Sequence, residues 1–175
     1  SDVYKRQIFF MHGNRDFLCG NKFAEDANIT ILPDPFFIDY FDQKIALSHG
    51  DDFCTDDLKY IEFKKEVRSS SWQEDFLSKP LEERQKIASN MRDASQSNKD
   101  KKDLSIMDVA ANTIHEFFIQ NNISLLIHGH THRPNTHQIS EPNVDGVRIV
   151  LGDWHDTGWC LTLEDEERVL EEFKL

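Results

Sequence analysis

Cysteine is rare in this sequence, and long hydrophobic runs are absent. Three of its 175 residues are cysteines, Cys19, Cys54 and Cys160, and no Cys-x-x-Cys pair occurs. Cysteines this few and scattered exclude a disulfide framework and a zinc finger. No apolar run approaches the ~20 residues that a membrane-spanning helix needs, and there is no secretory hydrophobic segment. We therefore expect a soluble protein from a reducing compartment.

Positive charge is also scarce. The chain has 20 Lys and Arg against 32 Asp and Glu, a formal net charge of −12 with histidine neutral. This surplus of negative charge argues against general binding to nucleic acid, whose phosphates would repel it. The sequence contains neither a Gly-x-Ser-x-Gly nucleophile turn nor a Gly-x-x-x-x-Gly-Lys phosphate loop, so the corresponding hydrolases and nucleotide enzymes are poorly supported.

The sequence does contain enough apolar material for one core, together with clustered histidines. Hydrophobic residues make up 38% of the chain and aromatic residues 11%. Four of its 8 histidines lie close together, at His128, His130, His132 and His137. Imidazole is a good metal ligand and a good acid or base at neutral pH. This cluster therefore directs attention to a metal site.

The apolar pattern predicts strands towards both ends of the chain. Short apolar runs typical of strands occur at Ile8–Met11, Phe36–Phe41, Lys44–Ser48, Ile123–Ile127, Val147–Leu151, Leu161–Leu163 and Val169–Phe173. The second and third runs are separated by Asp42-Gln43, which predicts a hairpin. The pattern indicates a layered α/β fold, in which functional sites lie on loops at strand ends.

A helical pattern occupies residues 55–120, between these strands. Thr55–Asp57 offers an N-cap and an acidic first turn to a first helix, and a second helix follows Pro80. A third helix carries apolar residues at helical spacing, at Ile106, Ala110, Ile114 and Phe117. The polar segment Ser95–Asp103 is predicted to be a loop.

Two motifs directly follow predicted strands. In His12-Gly13-Asn14-Arg15-Asp16 the amide oxygen of Asn14 can bind a hard divalent cation, and the planar Arg15 side chain suits phosphate. An ordinary β-turn explains the same residues about equally well. The second motif is His49-Gly50-Asp51. A single histidine at a strand end is more often a polar boundary residue than a ligand.

A third motif, Gly129-His130-Thr131-His132, gives a stronger signal. In an extended segment, residues two apart point the same way, so the two histidines would address one site. Paired imidazoles suit Zn, Mn or Fe. The alternative is a cluster of surface histidines.

These three motifs, in this order, resemble the later motifs of the calcineurin-like metallophosphoesterases. Longer strings resemble the branch of that family that hydrolyses UDP-2,3-diacylglucosamine in lipid A biosynthesis: Met11–Leu18, His49–Asp51 with Cys54–Asp57, Met91-Arg92 with Ser95, Ile106–Val109, and Ile127–Pro134. The resemblance runs from about Ile8 to the C-terminus. It implies an α/β sandwich in which residues 55–120 form a helical lid over the acyl chains.

The resemblance also implies roles for individual residues. Asn14, His49 and His130 would bind one metal ion and His132 a second, both Mn²⁺ in the complete enzyme. Asn14, Arg15 and His130 would act in catalysis, in which a metal-activated water splits the pyrophosphate into UMP and 2,3-diacylglucosamine 1-phosphate. The substrate would contact Asn14, Arg15, Asp57, Ser95, Lys99, Lys102 and His130. Lys99 stands where the family has an asparagine.

The family's first two motifs, an Asp-x-His and a Gly-Asp whose carboxylate bridges the two metals, do not occur before Ile8. The sequence therefore predicts a sandwich lacking its first strands, with a start at residues 1–7 that does not match the family. One amide and three imidazoles carry no negative charge to offset two dications. We expect this chain by itself to bind metal weakly and to be nearly inactive.

Two alternatives stay open: a metallophosphoesterase with another phosphodiester or phosphoprotein substrate, and a non-catalytic metal-binding fragment. The resemblance places the enzyme in the cytoplasm, peripheral to the inner membrane of a Gram-negative bacterium. It implies peripheral membrane contact through the UDP-linked lipid, with no nucleic-acid or protein partner.

Overall fold

The computed structural model describes residues 6–99, 108–165 and 167–175, and the side chains of 95–99 are not part of that description. The chain forms two compact units, Ser1–Phe53 with Val109–Leu175, and Cys54–Asp108. The helices are α1 Asn21–Ala27, α2 Leu58–Val67, α3 Ser70–Ser78, α4 Leu81–Lys99 and α5 Ala111–Asn121. The strands are β1 Phe9–Met11, β2 Thr30–Leu32, β3 Phe36–Tyr40, β4 Gln43–Ser48, β5 Leu125–His128, β6 Asn135–Glu141, β7 Val144–Val150, β8 Thr157–Glu164 and β9 Glu167–Lys174. Within the described ranges, no helix has both the length and the apolarity to cross a membrane.

A five-stranded sheet in the order β3-β4-β5-β7-β6 forms the centre of the first unit. Its three middle strands are parallel, and their last residues are in register: Ser48 pairs with His128, and His128 pairs with Val150. The loops that follow β4, β5 and β7 therefore leave from the same edge of the sheet. Two further pairs complete the unit, parallel β1-β2 and antiparallel β8-β9.

The central strand β5 explains where the core lies. All four of its residues are buried, because both faces of the sheet are covered. On one face, Leu126 packs with Ile114 and Phe118 of α5. On the other face, Leu125 and Ile127 pack against the β8-β9 hairpin. This packing of helix, sheet and hairpin holds the carboxyl edge of the sheet rigidly in place.

The second unit is helical. The Asp57 side chain caps α2 by accepting a hydrogen bond from the Tyr60 amide at 3.1 Å, and the Ser69 hydroxyl caps α3 through the Trp72 amide at 3.3 Å. The Trp72 ring stacks on Phe76 with the ring centroids 4.9 Å apart. These local contacts give each helix a defined start.

The structure confirms the layered α/β class and the predicted strands, and it corrects two expectations about the helices. Helix α4 runs on to Lys99, so the first part of the predicted loop 95–103 is helical. Helix α5 begins at Ala111, with Ala110 as its N-cap, and Ile106 lies outside the described residues. The second unit spans Cys54–Asp108, whereas the predicted insertion covered 55–120, because α5 packs on the sheet.

Strand β6 shows why some elements had no sequence signal. Only two of its seven residues, His137 and Ile139, are even half-buried. It exists because it pairs antiparallel with β7 along its whole length. An exposed edge strand lacks the alternating apolar pattern by which strands are recognised. The short elements α1, β2 and α3 were missed as well.

Candidate metal centre

The loops after β4 and β5 are joined by backbone hydrogen bonds. The Gly129 amide donates to the His49 carbonyl at 3.1 Å, and the Asp34 carboxylate accepts from the His49 amide at 2.9 Å. The Leu151 amide, which follows β7, donates to the His128 carbonyl at 2.8 Å. Three chain segments that are distant in sequence therefore meet at this edge.

His49 and His130 form the centre of the site. Nδ1 of His130 lies 3.3 Å from Nε2 of His49, and the ring centroids are 5.1 Å apart at an interplanar angle of 74°. Without a metal, this contact is a weak hydrogen bond between imidazoles. Two nitrogens bound to one tetrahedral ion at ~2.0–2.1 Å lie about 3.3 Å apart. The separation of these two nitrogens therefore equals that of two ligands of one divalent ion.

The loop that carries Asn14 reaches the same place. A Cβ built on Gly13 would lie 3.0 Å from Cε1 of His49, so the backbone beside Asn14 is against the His49 ring. The Gly13 amide donates to the Asp16 carboxylate at 2.6 Å, which fixes the turn. The structure thus brings the His12–Asp16 motif beside the histidine pair.

The geometry after Gly129 differs from the prediction. The backbone at His130 has φ of 65° and at His132 a φ of 54°, so the segment is not extended. The two rings have different neighbours. His130 contacts His49, whereas Nδ1 of His132 lies 3.5 Å from a carboxylate oxygen of Asp153. Left-handed non-glycine residues are uncommon, and they concentrate at functional sites.

The described residues supply pairs of ligands rather than a full set. Within 6–99, 108–165 and 167–175, no three His, Cys, Asp or Glu side chains gather in a group that could hold a metal. Asn14 is half-buried, and Arg15 and His132 are exposed. The metal-binding and catalytic roles predicted for these residues stay predictions.

The predicted substrate contacts in the second unit are described only in part. Asp57 is the N-cap of α2. Ser95 and Lys99 belong to α4, but their side chains are not described, and Lys102 lies outside the described residues. Their substrate-binding roles stay predictions.

Sequence reasoning missed several residues that shape the site. Asp34 holds the His49 amide, and Arg148 contacts His128, a histidine that the sequence had already placed in the cluster. Asp34 precedes Pro35 in a segment with no motif, so it gave no signal. Asp153 follows a predicted strand, and that position was the available signal for it.

The fold and the paired imidazoles at its carboxyl edge are typical of a metal-dependent phosphoesterase. The sequence profile of the calcineurin-like phosphoesterases matches residues 2–134, and the chain belongs to that family. It is 44% identical over 154 residues to the UDP-2,3-diacylglucosamine hydrolase of Cellvibrio japonicus, covering 88% of this chain and 64% of the relative. The enzyme of the same name from Yersinia pseudotuberculosis is 43% identical over 150 residues, covering 86% and 62%. The chain thus spans less than two thirds of the length of these relatives.

Among solved structures, wild-type Vps29 complexed with Zn²⁺ from Entamoeba histolytica is similar with a TM-score of 0.44 and 13% identity. That match covers 97% of this chain and 76% of that one. A likeness this distant bears on neither activity nor ligands.

Proposed function

We propose that this chain is part of an enzyme that hydrolyses the pyrophosphate of UDP-2,3-diacylglucosamine, giving UMP and 2,3-diacylglucosamine 1-phosphate. The observation that carries the proposal is the His49–His130 nitrogen pair, 3.3 Å apart at the carboxyl edge of the parallel strands. The identity of the substrate is taken from the names of the curated relatives, which are 43–44% identical to this chain. The motifs around both histidines supply the reaction class.

The residues of this chain divide the work by their chemistry. His49 and His130 would hold one divalent cation together with Asn14, and His132 would hold a second. Arg15 is exposed and presents its planar fork to phosphate oxygens. A divalent cation there, Mn²⁺ in this proposal, would supply Lewis-acid activation of water and charge neutralisation at phosphorus. Asp57, Ser95, Lys99 and Lys102 contact the lipid-linked substrate.

The ligand set of these residues is electrically incomplete. An amide and three imidazoles are neutral, whereas two dications need carboxylates to offset their charge. The sequence has no Asp-x-His or Gly-Asp before Ile8 to supply them. By themselves these four neutral ligands would hold two dications weakly, and added carboxylate ligands would raise the activity.

The chemistry of the substrate indicates where the proposed enzyme works. Two acyl chains anchor the substrate in a bilayer, so the proposed enzyme works as a peripheral protein at a membrane surface. The family resemblance makes this surface the cytoplasmic face of the inner membrane. The helices of the second unit form the lid over the acyl chains. Several of their large apolar side chains are exposed, among them Leu58, Leu77 and Leu81.

The test is UMP release from UDP-2,3-diacylglucosamine with added Mn²⁺. It compares this chain with a version preceded by the N-terminal segment of the Cellvibrio relative. We expect release from the extended version and at least 100-fold less from the chain as printed, since removal of metal ligands abolishes the Lewis acid. A soluble UDP-sugar in place of the lipid separates this enzyme from other phosphoesterases.

A pair of variants ties the activity to the site. In the extended version, His130→Ala should abolish release, whereas His155→Ala should not, because His155 is exposed. If neither wild-type version released UMP, the proposed substrate would be wrong. Full activity of the printed chain, abolished by His130→Ala, would overturn the argument about missing carboxylates.

A further inference from the structure

His128, the last residue of β5, is buried between two groups of fixed hydrogen-bonding character. Its side chain is 1% exposed. Nε2 lies 3.1 Å from Nη1 of Arg148, and Nδ1 lies 2.9 Å from the carbonyl oxygen of Gly129. Both ring nitrogens are therefore engaged by the protein itself.

These partners determine which nitrogen carries the proton. A guanidinium can only donate hydrogen bonds, so Nε2 of His128 must accept. A carbonyl oxygen can only accept, so Nδ1 must carry the hydrogen and donate to Gly129. The ring is the neutral Nδ1–H tautomer, with its one free lone pair directed at Arg148. His128 is therefore unsuited to be a metal ligand, although it lies two residues before one that we propose.

The carbonyl that His128 binds belongs to a strained turn. The Thr131 amide donates to the same Gly129 oxygen at 2.8 Å, a bond that spans two residues and closes a γ-turn around His130. The φ of His130 is 65°, the positive form of this turn, which is rare and strained. Such a conformation persists only where the surroundings enforce it.

The peptide group of Gly129 is held on both sides. Its oxygen accepts from the His128 ring and from Thr131, while its amide donates to the His49 carbonyl at 3.1 Å. The His128 ring therefore acts on the backbone that places His130 and on the backbone that places His49. Arg148, in turn, determines the tautomer that makes this possible.

We propose that His128, held as the Nδ1–H tautomer by Arg148, is a positioning residue that keeps His130 in the γ-turn where its Nδ1 meets Nε2 of His49. The consequence for catalysis rests on the proposed function. The tautomer and the turn do not, and they are measurable in this chain without substrate.

The experiment alters the donor rather than the buried ring. Arg148 is half-buried, so Arg148→Met keeps the apolar stem and removes the donor, and Arg148→Lys keeps a donor. The imidazole tautomer of His128 is read from long-range ¹H–¹⁵N spectra, the turn from hydrogen exchange of the Thr131 amide, and the metal site from calorimetric titration with Zn²⁺. We expect Nδ1–H in the wild type and in Arg148→Lys, and a mixture of tautomers in Arg148→Met.

In Arg148→Met, exchange at Thr131 should be faster and Zn²⁺ affinity about tenfold weaker, the size typical of lost support behind a ligand. The direction of the change in Zn²⁺ affinity distinguishes positioning from simple electrostatics. Removing a positive charge near a dication would by itself strengthen binding, so weaker binding identifies positioning. His128→Asn, which keeps a donor near Nδ1, should retain slow Thr131 exchange better than His128→Gln.

An Nε2–H tautomer in the wild type would overturn the proposal. So would Arg148→Met with wild-type tautomer and Thr131 exchange, or with Zn²⁺ affinity that rises. If no version releases UMP while the tautomer and exchange behave as expected, the proposed function fails and the positioning role stands. If the wild type binds no Zn²⁺, the tautomer and the exchange decide alone.

Discussion

The contact between Phe118 of α5 and Gly146 of β7 permits a test of the first unit's packing. Phe118 is 2% exposed, and a Cβ built on Gly146 would lie 2.5 Å from its Cε1 and 3.0 Å from the Ser124 carbonyl oxygen. The φ of Gly146 is not in the left-handed region, so the backbone itself accepts alanine. A steric conflict with the Phe118 ring is therefore the main obstacle to Gly146→Ala.

The expected losses in free energy of unfolding follow from the burial and the volume of the Phe118 ring. A buried aromatic ring removes roughly 150–250 Å² from water, which at ~25 cal/mol per Å² is worth about 4–6 kcal/mol. That area-based value is an upper estimate, because alanine keeps its Cβ buried and the unfolded chain already hides part of the ring, so Phe118→Ala should cost about 3–5 kcal/mol with the cavity included. Gly146→Ala should cost about 1–3 kcal/mol through overpacking. In the double variant the new methyl group occupies vacated space, so the loss should fall short of the sum by about 1–2 kcal/mol.

The assay is native-state hydrogen exchange of the β5 amides, which reports the first unit by itself and avoids assuming that both units unfold together. Ile119→Ala, on the same helix at 49% exposure, is the matched control and should change little. Additive losses in the double variant would refute the reasoning, and so would a Gly146→Ala chain as stable as the wild type.

Two further comparisons use the same exchange method. Gly50 has φ of 104°, and a Cβ added to it would lie 2.6 Å from Nδ1 of His128. Gly50→Ala should therefore destabilise β5 by about 2–4 kcal/mol. Gly129→Ala, whose added Cβ would have its nearest contact at 3.7 Å, should change stability by less than about 0.5 kcal/mol, and equal effects of the two variants would contradict this reasoning. Asp57→Ala removes the N-cap of α2 and should cost about 1 kcal/mol at its amides. Asp56→Ala, an exposed neighbour, should be neutral, and a cost there equal to that of Asp57→Ala would argue against the cap.

The sequence predicted the sheet well because its central strands are short apolar runs. Ile123–Ile127 and Val147–Leu151 overlap β5 and β7 and end within one residue of them, and both are followed by polar motifs, as expected of sites at strand ends. Beyond residue 95 the prediction failed for α4, because the residues from Ser95 to Lys99 are polar and form no apolar stripe. Strand β6 escaped notice for the same reason.

The sequence singled out the motifs of the candidate site but did not predict their geometry. The motifs singled out Asn14, His49 and His130, and the structure does place the Gly13 backbone and the His130 ring against His49. The extended conformation assumed around His130 was wrong. A γ-turn depends on hydrogen bonds that arrive from His128 and Thr131, which no local pattern encodes.

Taken by itself, the sequence determined the family, the layered class and the ends of the buried strands. Each of these depends on residue type and spacing along the chain. Tertiary structure alone decided which imidazole nitrogens meet, which tautomer His128 adopts and which strand lies at the sheet edge. These features depend on parallel register across β4, β5 and β7, which aligns Ser48, His128 and Val150. A contact between residues 81 positions apart, such as His49 with His130, forms only when β4 and β5 have paired.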